Sequence, residues 1–189
     1  MPLTRRNLLA LPFAFAIGPA AAQLPPPWLE RLRKGEVVGL LRHALAPGTG
    51  DPDNFRLGDC STQRNLSDAG RNQAEAIGAN LRRLGLDKAA VYSSQWCRCL
   101  ETARLLGYGR VQDLPALNSF FSDRSQATEQ TRQLDAWLTA RSDPVPLLLV
   151  THQVNITALT GVVPASGELV LITREKTSGS RVVARETLG

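Results

Sequence analysis

The sequence predicts an α/β fold, a three-layer α/β/α sandwich around a mainly parallel central sheet. Three observations carry that reading. Val37-Val38-Gly39-Leu40-Leu41 and Leu147-Leu148-Leu149-Val150 are continuous apolar runs, the pattern of strands buried on both faces. Segments of helical period lie between them, so strand and helix alternate, which is how a parallel sheet comes to be covered on both sides. The length of 189 residues, 43% apolar and 21% charged, suits one globular domain with its own core.

Residues 1–22 stand apart from that domain. Arg5 and Arg6, an apolar stretch from Leu8 to Ile17 and then Gly18-Pro19-Ala20-Ala21-Ala22 have the order of a secretory signal peptide. Thr4-Arg5-Arg6-Asn7-Leu8-Leu9 also resembles a twin-arginine signal, with an ordinary secretory signal as the alternative. The expectation is a signal peptide over 1–22, one domain over 23–189, and a periplasmic destination by the twin-arginine route. No other apolar run reaches the roughly 18 residues a membrane span needs, so no stable membrane insertion is expected after cleavage.

The elements follow in order. After Pro25 to Pro27, a short basic helix is expected around Trp28–Lys34, ahead of the first strand. Residues 44–66 are polar, rich in Gly, Pro and Asp, and lack a period; loops this long are uncommon unless functional or disordered. Ser67 fits the N-cap of a helix with Ile77, Leu81 and Leu84 on one face and Gly85 at its end. Ala90-Val91-Tyr92 reads as a strand, Trp96 to Leu106 as a helix closed by Gly107, and 126–141 as a helix through Leu134, Trp137 and Leu138. The strand Leu147–Val150 leads to a helix near Asn155–Thr160. Leu169–Thr173 and Arg181–Ala184 read as a hairpin around Ser178-Gly179. Trp28, Trp96 and Trp137 are read as packing residues, with a place at the pocket mouth as the alternative for Trp96, which precedes Arg98 on the same turn.

Composition narrows the partners. Gly and Pro show no period and charge does not dominate, which excludes collagen-like, coiled-coil and disordered classes. The 22 Lys+Arg against 17 Asp+Glu make a net +5, or +3 once Arg5 and Arg6 leave with the signal. That suits an anionic small substrate and falls short of a nucleic-acid binder's dense basic stripe. The three cysteines, Cys60, Cys97 and Cys99, leave at least one thiol unpaired. Cys97-x-Cys99 lacks metal-site spacing and both histidines are distant in sequence, so neither a metal site nor another cofactor is predicted. In an oxidising compartment Cys60 can pair with Cys97 or Cys99. Three unpaired thiols fit as well, and no pairing is assigned.

Ligands of open α/β sheets bind beyond the carboxyl ends of the strands. The first strand ends Leu41-Arg42-His43-Ala44, the second Tyr92-Ser93-Ser94, and the Leu147–Val150 strand Thr151-His152-Gln153. The chain has two histidines, and both fall within two residues of a buried strand's end. Arg42 and Arg98 accompany them.

These segments carry a resemblance. Leu41-Arg42-His43 resembles the signature of the histidine phosphatase superfamily, branch 1, whose fold is phosphoglycerate-mutase-like. Leu66-Ser67-Asp68-Ala69-Gly70-Arg71-Asn72-Gln73-Ala74 is similar to that family's helix after the first loop. Ser93-Ser94-Gln95-Trp96-Cys97-Arg98-Cys99-Leu100-Glu101-Thr102-Ala103 is similar to its S-S-x-x-x-R-x-x-x-T-A segment, and Val150-Thr151-His152 to the segment of its second histidine. The four lie in the family's order across residues 37–173.

The resemblance implies a metal-independent phosphomonoesterase acting through a phosphohistidine at His43. A neutral imidazole suits attack on a dianionic ester, because it approaches without like-charge repulsion. Arg42 and Arg98 would clamp the phosphoryl oxygens with planar, permanently charged forks, and His152 would complete the cradle as imidazolium or N–H donor. The family places its proton donor, often Glu, after the third motif. Here Leu117–Asp123 occupies that region, and Asp123 is the expected acid, with Glu129, His152 or the substrate itself as alternatives. Ala44 replaces the family's usual Gly. Asn54, Arg56, Gln63 and Arg64 are candidates to contact the rest of the substrate, expected to be a small-molecule or envelope phosphate monoester. A phosphomutase and a phosphate-binding module without turnover are the rival readings. The missing Glu segment speaks against the mutase.

Overall fold

Both apolar runs become central strands of one six-stranded sheet, ordered β3-β2-β4-β1-β5-β6. The computed structural model describes residues 25–141, 144–173 and 180–189. The expected signal segment and the Ser178-Gly179 turn lie outside the described residues. The strands are β1 (Val37–Arg42), β2 (Ala90–Ser93), β3 (Val111–Asp113), β4 (Leu147–Thr151), β5 (Glu168–Thr173) and β6 (Val182–Thr187). Strands β1, β4, β2 and β3 run parallel, while β5 and β6 are antiparallel additions beyond β1. The sheet is mainly parallel, as expected. Strand β3 escaped prediction because three residues are too few to show a period.

Two apolar layers explain why the central strands lack polar alternation. Successive side chains of a strand face opposite ways. Val37 and Leu41 join Leu148 and Val150 on one face, under α1 (Pro27–Arg33), α2 (Asp68–Arg83) and α3 (Cys97–Leu105). Val38 and Leu40 join Leu147 and Leu149 on the other, under α4 (Ala127–Ala140) and α5 (Gln153–Thr160). Among the described residues no helix is long and apolar enough to cross a membrane.

Helix α2 docks on the segment that follows β1. Ser67 caps it, accepting from the Gly70 amide at 3.1 Å, and its own amide donates to the Leu45 carbonyl at 3.1 Å. A Cβ on Gly70 would lie 2.0 Å from that same carbonyl oxygen. Only glycine allows the helix to come this close, and so to brace the chain just beyond His43.

Candidate active site

Strand pairing sets the two histidines side by side. Arg42 of β1 lies opposite Thr151 of β4, and Ser93 of β2 opposite Val150. The ladders run one step further: the His43 amide donates to the Thr151 carbonyl and the Ser94 amide to the Val150 carbonyl, each at 2.9 Å. His43, His152 and Ser94 therefore leave the sheet at one edge, with the imidazole centroids 5.5 Å apart. The two histidines floor a cavity of about 130 Å³ that Arg42, Asp51, Arg64 and Arg98 also line.

His43 is buried and held neutral. Its Nδ1 lies 2.8 Å from the Ala44 carbonyl, which can only accept, so Nδ1 carries the proton and Nε2 keeps its lone pair. Burial pushes its pKa from 6.5 down to about 3; the Arg98, Arg64 and Arg42 charges add to this, against the opposing Ala44 bond. The Ala44 amide is taken by Thr102 Oγ1 at 3.1 Å, so the residue in the family's glycine position is accommodated.

His152 differs from expectation. Arg98 Nη2 donates to its Nδ1 at 3.4 Å, which places its proton on Nε2, 2.8 Å from Ser94 Oγ. That hydroxyl passes its own hydrogen to Asn118 Oδ1 at 3.3 Å. Burial, then the Arg98 charge and His43, hold the His152 pKa well below 6.5. The ring is thus neither an imidazolium nor a free N–H donor to the cavity, but a wall whose N–H belongs to Ser94. The free thiol of Cys99 packs behind it, 3.4 Å from Nε2, and burial pushes that thiol up to about 12.

Three guanidinium groups and one carboxylate line the cavity, and one of the three pairs with it. Arg98 is buried and donates from Nη1 to Asp51 Oδ1 at 2.7 Å and from Nη2 to Oδ2 at 3.2 Å. Burial alone would raise the Asp51 carboxyl; the Arg98 bonds and charge outweigh it, helped by the Arg64 amide and Trp96, and hold it below 3.8. Arg42 donates to the Pro164 carbonyl at 2.9 Å and, among the described residues, meets no acid. Arg42 and Arg98 each retain a buried Nε–H without an acceptor among the described residues. With both imidazoles neutral, three cations against one anion leave the cavity positive, which suits an anionic ligand.

A family model described as histidine phosphatase superfamily (branch 1) matches residues 39–146, more than half of the chain. The chain belongs to this family. Among solved structures it is similar to an open reading frame product from Mycobacterium tuberculosis, at 19% identity, 79% of this chain and 96% of that one covered, and a TM-score of 0.56. It is similar to the protein histidine phosphatase SixA complexed with tungstate, at 14% identity, 80% and 96% coverage and a TM-score of 0.56. It is also similar to a mycobacterial glucosyl-3-phosphoglycerate phosphatase with inorganic phosphate, at 16% identity, 82% and 97% coverage and a TM-score of 0.56. At these identities the likeness is one of fold. No curated protein matches the chain. Histidine phosphatase membership and these neighbours support a phosphatase-type function. The matched span ends before β4, so the position of His152 beside His43 comes from the sheet.

The cavity of this histidine phosphatase family member gathers Arg42, His43, Arg98 and His152, but not Asp123. That residue does not line the cavity. Its carboxylate caps a short helical turn, accepting from the Ser125 amide at 3.1 Å and from Gln126 Nε2 at 2.7 Å, and these bonds keep it ionised. Glu129 is exposed on α4 and tied to Arg132. Of the loop candidates, Arg64 enters the cavity, whereas Gln63 is buried and accepts from the Cys97 amide at 2.9 Å. Arg56 pairs with Asp59 on the surface, and Asn54 is exposed. Cys60 and Cys97 form a disulfide that ties the loop to the first turn of α3. The sequence had left that pairing open.

Proposed function

We propose that the protein is a metal-independent phosphomonoesterase working through a phosphohistidine on His43. One observation carries this reading: a buried, neutral imidazole offers an unprotonated Nε2 on the floor of a cavity lined by three arginines. Nε2 attacks phosphorus, the ester P–O bond breaks, and the leaving oxygen takes a proton. Water then attacks the phosphohistidine, the N–P bond breaks, and inorganic phosphate leaves. Arg42, Arg64 and Arg98 hold the phosphoryl oxygens, supplying the positioning and charge stabilisation that dominate phosphoryl transfer. The tungstate and phosphate of two structural neighbours belong to the ligand class this cavity suits. The substrate is a small-molecule or envelope monoester, and the protein is periplasmic. The Cys60–Cys97 disulfide supports an oxidising compartment.

The test is acid-labile labelling from a radioactive phosphodonor, with turnover of p-nitrophenyl phosphate followed in parallel. Labelling and turnover are expected in the wild type, with or without EDTA, and both vanish in His43→Ala. Turnover that persists in His43→Ala, or that EDTA abolishes, overturns the proposal.

A further inference from the structure

Beside the phosphate cavity lies a second one, of about 410 Å³, lined by Pro52, Phe55, Trp96 and Phe121. Phe55 and Trp96 stack there, centroids 5.0 Å apart and planes 21° from parallel. The two cavities share Gly50, Asp51, Ser119 and Phe121 as walls. A phosphate ester held by the arginines would extend its organic part into the aromatic cavity, so the bridging oxygen falls at this shared boundary. Asp51 is the one ionisable residue among the shared walls.

From this geometry we infer that Asp51 is the proton donor to the leaving oxygen, and that in the empty site its carboxylate stands where phosphoryl oxygens will bind. The inference rests on the phosphomonoesterase reading above. The bidentate bonds from Arg98 to Asp51 use the same two donors that a phosphoryl group would take, with the same fork geometry. An arriving dianion displaces the carboxylate from Arg98. It removes the counter-ion that kept Asp51 ionised and sets negative charge against it, which favours the protonated form. The protonated carboxyl then faces the bridging oxygen. In the first step N–P forms, the P–O bond breaks and the Asp51 proton moves to the departing alkoxide. In the second step the Asp51 carboxylate takes a proton from the attacking water, the P–O bond to that oxygen forms and N–P breaks. Proton and charge balance over the cycle.

The test compares benzyl phosphate, whose alkoxide needs a proton, with p-nitrophenyl phosphate, whose phenolate does not. Asp51→Asn is expected to lower kcat on benzyl phosphate by about 10²-fold or more and on p-nitrophenyl phosphate by less than about tenfold. Inorganic phosphate, titrated by calorimetry, should bind Asp51→Asn at least as tightly as wild type, because a competing carboxylate is gone. Should Asp51→Asn fail to fold, Asp51→Glu carries the test: it keeps an acid on Arg98 but displaces it, and the gap should appear in the same direction. Equal losses on the two esters would show that Asp51 only positions Arg98, and the inference falls while the phosphatase reading stands. A wild type that hydrolyses neither ester overturns both.

Discussion

On the floor of the cavity, backbone pairing places the chemistry: His43 and Ser94 extend the ladders between β1, β4 and β2 by one hydrogen bond each. The roof, residues 48–64, has no strand. Its shape comes from individual side chains: Arg64 Nε donates to the Gly50 carbonyl at 2.8 Å, the Arg64 amide to Asp51 Oδ1 at 3.1 Å, and Gln63 receives the Cys97 amide. The Cys60–Cys97 disulfide then closes the loop onto α3. A ladder repeats one interaction and survives many substitutions, whereas each roof contact depends on a particular residue. The floor is therefore set by the fold, and the roof by individual side chains.

Acid should separate the two regions most strongly. Both imidazoles are buried neutral, so the unfolded chain binds protons that the folded chain refuses. The stability they support is complete above 6.5 and falls as pH drops toward about 3, on the order of 5 kcal/mol for His43 alone. Asp51 is also depressed, but from 3.8, so the roof's ion pair is lost only below that value. Urea unfolding measured between 6.5 and 4.5, above the values from which Asp51, Glu129 and Glu168 are depressed, should thus report the floor alone, with midpoints falling steadily. A flat profile there would mean that the histidines are not held neutral.

Breaking the roof is the next largest effect. The disulfide spans 37 residues, so Cys60→Ser with Cys97→Ser should lower stability by about 4 kcal/mol through chain entropy. Phosphate affinity should weaken with it, because Arg64 loses its frame, while His43 still becomes labelled. Unchanged stability would show that the hydrogen bonds alone hold the roof.

Arg98 joins both regions, since α3 carries it and Asp51 of the roof receives its fork. Arg98→Lys keeps the charge and loses the two-pronged geometry. Turnover should fall about 10² to 10³-fold, roughly 3 kcal/mol, and equally on benzyl and p-nitrophenyl phosphate. A loss on benzyl phosphate alone would tie Arg98 to the proton donor rather than to the phosphoryl group.

The floor was legible because its chemistry sits at the ends of apolar runs, which composition marks plainly. His43, His152 and Arg42 follow from Val37–Leu41 and Leu147–Val150. Of the roof, Arg64 was read as a candidate and the rest was not legible. Asp51 lies in a polar stretch that also holds Asp53 and Asp59, and nothing in such a stretch distinguishes a carboxylate facing Arg98 from a solvated one. The Cys60–Cys97 pairing likewise depends on how the loop folds back, a long-range property that spacing does not encode. The protonation of His152 was misread for the same reason, since its partner Ser94 approaches from another strand.

Asp123→Asn should do least of all, and it is the sharpest check on where the acid lies. Resemblance to the family pointed to the segment after Leu117, and Asp123 is the carboxylate there. Yet its oxygens are spent on the Ser125 amide, the Ser125 hydroxyl and Gln126, an N-capping pattern that Asn reproduces nearly as well. It lines neither cavity, so removing its proton should not touch the departing oxygen. The melting temperature should be nearly unchanged, and the ratio of benzyl to p-nitrophenyl phosphate turnover should match wild type. A drop of about 10²-fold confined to benzyl phosphate would return the general acid to Asp123. It would also require residues 121–126 to refold over the cavity when substrate binds, since in this structure Phe121 reaches the cavity and the Asp123 carboxylate does not.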